Sequence, residues 1–112
     1  MSMTITVTEN GVVPLVTIAG RIKGEGDEKL QKVLKEVVEK QRATIIVDIS
    51  GAEYIDSHGL GILIYFHKTM QGEKRRLVLL NTNTDPECYM SRLVEITNLD
   101  KVMNIVTSMK DV

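Results

Sequence analysis

The run Thr44-Ile45-Ile46-Val47-Asp48-Ile49 constrains this chain most. It is β-branched almost throughout and lacks polar–apolar alternation. Such a run suits a central strand covered on both faces, as in parallel sheets flanked by helices. The neighbouring segments agree. Upstream, Leu30, Val33, Leu34, Val37 and Val38 recur at the spacing of one buried helical stripe. Lys29, Lys35, Glu36, Glu39 and Lys40 fill the solvated face of that helix. Asp27, just after the break Lys23-Gly24-Glu25-Gly26, is expected to cap it. Downstream, residues 50–55 read as a loop, 59–71 as a helix stopped by Gly72, and 76–80 as another buried strand. Asp85-Pro86 is expected to open a third helix, with proline at its first position. Its apolar face is Tyr89, Met90, Leu93, Val94 and Ile96, and Asn98 suits a left-handed residue at its end. Residues 102–106 read as a last short strand or helix, and the tail from Thr107 is expected to fray.

The first part of the chain differs in kind. Thr4-Ile5-Thr6-Val7-Thr8 alternates like a half-buried edge strand, and Asn10-Gly11 is a hairpin turn signal before a second strand over 12–22. Pro14 has no N–H to give a ladder, so an edge or a bulge is expected there. The order ββαβαβα predicts an α/β fold. Its sheet is mixed, of four to five strands, opens with a hairpin and carries three to four packed helices. At 112 residues, one domain over 1–112 is expected.

Composition narrows the function classes. Aromatic residues are 4% and tryptophan is absent, so the core must be aliphatic. Fifteen acidic against 14 basic residues give a net charge of −1, which argues against nucleic acid as a partner. No apolar run reaches the roughly 18–20 residues of a membrane span, and no basic stretch followed by an apolar one opens the sequence. The single Cys88 excludes an intrachain disulfide and fits a reducing, cytoplasmic setting. No cofactor is expected: a GxxxxGK[ST] phosphate loop is missing, and Cys88, His58 and His67 lack zinc-site spacing.

The chemistry concentrates at Asp56-Ser57, where a strand-and-loop segment meets a helix start. Either residue could cap that helix. Its dipole and free N–H groups would tolerate a phosphate on Ser57, which adds about −1.5 to −2 charges at neutral pH. A partner docking on the same surface would have to desolvate that charge and should let go. Gly59 and Gly61 are poor helix formers, so something approaches this turn closely, either the sheet or a partner. By helical spacing, Leu60, Leu63, Ile64 and His67 share a face expected to meet the sheet. Ile62, Tyr65, Phe66 and Thr69 then form an exposed apolar face headed by Ile62 and Phe66, suited to a protein partner or to a second copy in a homodimer. Asp56, Ser57 and His58 do not make a catalytic triad, because adjacent helical residues do not face each other. His67 lies about 15 Å along the helix from Ser57 at 1.5 Å per residue. No enzymatic activity is expected.

Val47-Asp48-Ile49-Ser50 followed by Asp56-Ser57-His58-Gly59-Leu60-Gly61 resembles the signature of the STAS domain, and within it the bacterial anti-sigma-factor antagonists. The likeness extends to the opening strands ending at Gly20 and to the segment from Pro86 through Leu93 to Leu99. It implies a protein that binds an anti-sigma factor acting as a serine kinase and thereby frees a sigma factor. Phosphorylation of Ser57, beside Asp56, would release it, and a serine phosphatase would restore it. Taken with the helix pattern above, the expected docking residues are Lys23, Asp56, His58, Gly59, Gly61, Ile62 and Phe66. Two positions depart from the pattern. His58 stands where the family usually has serine or threonine, and Lys23 where many antagonists are acidic. Stand-alone STAS domains also serve as stress-signalling scaffolds and as small subunits of lipid-transporting ABC systems, and these remain the alternatives.

Overall fold

A computed structural model describes residues 3–10 and 13–112 of the protein. The elements are β1 (Met3–Asn10), β2 (Val13–Ile22), α1 (Glu25–Val38), β3 (Thr44–Ile55), α2 (Ser57–Gly72), β4 (Arg76–Leu80), α3 (Tyr89–Thr97) and β5 (Asn104–Val106). Short 3-10 turns follow at Leu99–Lys101 and Met109–Asp111, the latter within the tail expected to fray. The five strands form one sheet in the order β1-β2-β3-β4-β5. β1 and β2 are antiparallel, and the other neighbours are parallel. The expected opening hairpin and mixed sheet are therefore present, although the Gly11 turn lies outside the described residues.

Each parallel strand sits beside its predecessor, and right-handed crossovers then put all three helices on the same face. The register agrees. Val16, Val47, Leu79 and Ile105 lie across from one another. With Ile18, Ile45 and Leu77 they join Leu30 and Leu34 of α1, Leu63 and Met70 of α2 and Met90 of α3 in one aliphatic core. The alternate row, Leu15-Ile46-Val78, points to the opposite face. There Met109 and Val112 of the C-terminal segment line a cleft with Val13, Leu15 and Ile46. Pro14 pairs only with Glu9 of β1, ahead of the point where β3 joins β2, so its missing N–H breaks no β2–β3 bond.

Several boundaries differ from expectation. Residues 50–55 are strand, not loop. β3 continues along β2 through Ala19↔Gly51, Gly20↔Ala52, Arg21↔Tyr54 and Ile22↔Ile55, with two register shifts. A Cβ on Gly51 would lie 3.0 Å from the Ala19 Cβ, so glycine here permits close strand approach and does not mark a turn. α1 starts before Asp27, with Gly24 at φ 58 in the cap position and no side-chain cap bond. α3 starts at Tyr89, because the Asp85 carboxylate turns back to accept from Glu87 N at 2.9 Å. Asn98 is left-handed at φ 54, as its position suggested.

The orientation of α2 is the largest correction. Its buried residues are Gly59, Ile62, Leu63, Phe66, His67 and Met70. Ile62 and Phe66, expected to head an exposed face, are only 6% and 5% exposed, while Leu60 and Ile64 are half-buried. α1 packs alongside α2 on the same face of the sheet, so α2 is covered on two sides. Of the expected outer face only Tyr65 stands clear in solvent.

Candidate functional site

The site is built where β3 hands the chain to α2. Asp56 N donates to Ile22 O at 3.0 Å, which ties the end of β2 to the start of α2. Lys23 and Ser57 therefore occupy the same edge, at the carboxyl ends of parallel strands, where open α/β sheets form their crevices. Asp56 is extended at φ −82, ψ 173 and caps α2: its Oδ1 accepts from Gly59 N at 2.7 Å. That N–H holds the Asp56 carboxyl below the usual aspartate range. Ser57 is the first helical residue, exposed, and its hydroxyl has no hydrogen-bond partner among the described residues. The cap is thus Asp56, not Ser57.

Gly59 and Gly61 separate cleanly. A Cβ on Gly59 would lie 2.7 Å from Asp27 Oδ1, 3.0 Å from Ile22 Cγ2 and 3.1 Å from Ile55 Cγ1. The close approach at Gly59 is therefore made by the protein's own interior. Gly61 is exposed with nothing within 4 Å of its Cβ direction. It lines an open groove of about 320 Å³ with Gln31, Ser57, His58, Ile62, Tyr65 and Phe66. Ile62 and Phe66 thus reach the site as the floor of a groove between α1 and α2.

Two residues of the site carried no signal that sequence reasoning used. Asp27, expected as a helix cap, is instead 2% exposed, beneath the first turn of α2. Burial, and next the Asp56 carboxylate, push its carboxyl up from 3.8 to about 6. Its Oδ2 lies 3.5 Å from His58 Nδ1, and its buried Oδ1 has no hydrogen-bond partner. The second is Tyr89, expected only as part of an apolar helix face. Its hydroxyl accepts from Ile55 N at 3.1 Å and donates to Ile55 O at 3.0 Å, so α3 clamps the last residue of β3. The Tyr89 ring also meets Tyr54 at 6.0 Å, and the Arg21 guanidinium lies over Tyr54 at 5.3 Å.

A family profile described as "Mlab, STAS domain" matches residues 5–107. The chain belongs to the STAS domain family. Among its members, the anti-sigma-B factor antagonist of Listeria monocytogenes is 26% identical over 106 residues, covering 94% of this chain and 90% of that protein. An anti-sigma factor antagonist from Mycobacterium paratuberculosis has the same fold, with a TM-score of 0.83 at 24% identity over 98% of this chain and 90% of that one. The phosphorylated form of the Bacillus cell fate determinant SpoIIAA superposes with a TM-score of 0.69 at 16% identity, covering 96% of both chains. In this STAS domain the signature residues Asp56, Ser57, Gly59 and Gly61 sit together at the β3–α2 junction, with His58 and Lys23 exposed beside them. His67 is buried in the core side of α2, away from that edge. No helix among the described residues is long and apolar enough to cross a membrane.

Proposed function

We propose that this STAS domain is an anti-sigma factor antagonist that binds a serine-kinase anti-sigma factor at the Ser57 edge and is released when Ser57 is phosphorylated. One observation carries the proposal. Asp56 supplies the helix cap, which leaves the Ser57 hydroxyl exposed and without a hydrogen-bond partner among the described residues. A phosphate there meets the positive end of α2, so the domain tolerates it, while a docked partner would have to bury it. Lys23, His58, Gly61 and the groove floor of Ile62 and Phe66 surround the hydroxyl as the docking surface. A serine phosphatase resets the site, and the cycle runs in the cytoplasm. Residues 1–112 act as one domain without enzymatic activity of their own. The names of the antagonist relatives support this reading over the other STAS roles.

The test uses immobilised wild type and Ser57→Asp, both verified as folded by circular dichroism. Mass spectrometry then identifies what each retains from the source lysate. A serine-kinase anti-sigma factor retained by wild type and lost by Ser57→Asp is the expected result. Equal retention of that kinase by both overturns the switch. Retention of ABC-transporter subunits in its place overturns the sigma-factor role.

A further inference from the structure

Asp27 is a carboxyl group buried in a place that gives it little. Its walls are Ile22 of β2, Ile55 of β3 and the bare backbone of Gly59 on α2. Among the described residues, the charged and titratable groups that act on it come from the start of α2, namely Asp56 and His58. Asp56 repels its charge and His58 attracts it. One carboxylate oxygen faces His58 at 3.5 Å, the other has no donor on it, and the carboxyl group lies in hydrogen-bond reach of the Asp56 carboxyl, a bond it can make only when protonated. A buried carboxylate oxygen without a donor is costly, and protonation relieves that cost. The His58 side chain, in contrast, is two-thirds solvent-exposed at 67%, and among the described ion pairs Asp27 is its only partner. So two carboxyl groups act on a ring directly beside Ser57, and of these Asp27 is the one in ion-pair range and the one whose charge changes.

We propose that Asp27 is a proton-gated positioning residue for the Ser57 site: ionised, it holds the His58 ring down on the first turn of α2, and protonated, it releases that ring. The proposal deepens the Ser57 reading, because a partner docking on this edge would meet a held ring in one state and a free ring in the other. Phosphate at Ser57 adds negative charge beside the same cluster. It therefore favours proton uptake there, and by linkage protonation favours the phosphorylated form.

The experiment needs no partner. The Asp27 side-chain carboxyl is followed by 13C-detected NMR between pH 4 and 8, together with the Ser57 and Gly59 amides, in wild type and in His58→Gln. The Asp27 midpoint is expected at about 6 in wild type. It should move upward in His58→Gln, which loses the attracting group; both amides should follow the carboxyl curve in wild type, and the Ser57 amide should lose that response in His58→Gln. An Asp27 midpoint indifferent to His58→Gln overturns the pair. Amides that ignore the Asp27 transition overturn its positioning role. A titration that behaves as expected in a protein that captures no kinase would leave this inference standing and remove only the antagonist reading.

Discussion

Replacing Asp27 with asparagine should stabilise the protein at neutral pH, against the usual result for a substitution in a core. Asparagine keeps the shape, cannot ionise, and can offer an N–H toward the Asp56 carboxylate. The magnitude follows from the carboxyl's shift from 3.8 to about 6. Each unit corresponds to about 1.36 kcal/mol, so roughly two units set an upper figure of about 3 kcal/mol. The sign is fixed by which state ionises first. The unfolded chain loses this proton near 3.8 and the folded one only near 6, so wild-type stability falls as pH rises between those values and stays lowered above them. The attraction of His58 is already contained in that shift, and the new amide contacts of asparagine in a tight site set the lower end. A net gain of about 1–3 kcal/mol is expected at pH 8, falling to about 0.5 kcal/mol or less by pH 4. Urea denaturation followed by circular dichroism at one-unit pH steps measures it directly. A variant whose stability runs parallel to wild type across the whole range would refute the reasoning. So would one that is destabilised at pH 8.

Other substitutions separate the roles of neighbouring residues. Gly59→Ala must push its new Cβ against Asp27 Oδ1, Ile22 and Ile55, and should lose about 1–3 kcal/mol by overpacking even though alanine is the better helix former. Gly61→Ala meets nothing within 4 Å and should gain up to about 1 kcal/mol, so opposite shifts in thermal midpoint are expected for two glycines two residues apart. Tyr89→Phe removes both bonds to the Ile55 backbone and should cost about 1–3 kcal/mol, with faster hydrogen exchange at the Ile55 amide as its local signature.

Features written in local sequence were legible. The β-branched run of β3, the apolar stripe of α1, the left-handed Asn98 and the strand-to-helix junction at Asp56-Ser57 all depend on residues close together in the chain. The rotation of α2 was not legible. Residues 60 and 62–66 are all apolar, so periodicity has no clear phase, and the choice is made by α1 packing beside it. Ser50-Gly51 resembled a loop because nothing local reveals that Ala19 and Gly20 lie against it. Asp27 resembled a cap for the same reason. Its burial is created by Gly59, 32 positions later, whose missing side chain leaves room for a carboxyl group. Tyr89 fits an apolar face by pattern, and its hydroxyl acquires a task only once α3 reaches the end of β3.

The division of labour at the start of α2 has a consequence for the protein's lifetime. Had Ser57 been the cap, each covalent change at its hydroxyl would have unpinned the helix and admitted local opening, which is where proteases cut. With Asp56 bound to Gly59 N, residue 57 can be altered while the first turn stays closed. A cell could then run the two forms through many rounds of modification and reversal without either being cleared faster than the other. The ratio of the two forms would be set by the enzymes acting on the hydroxyl, and not by turnover of the chain.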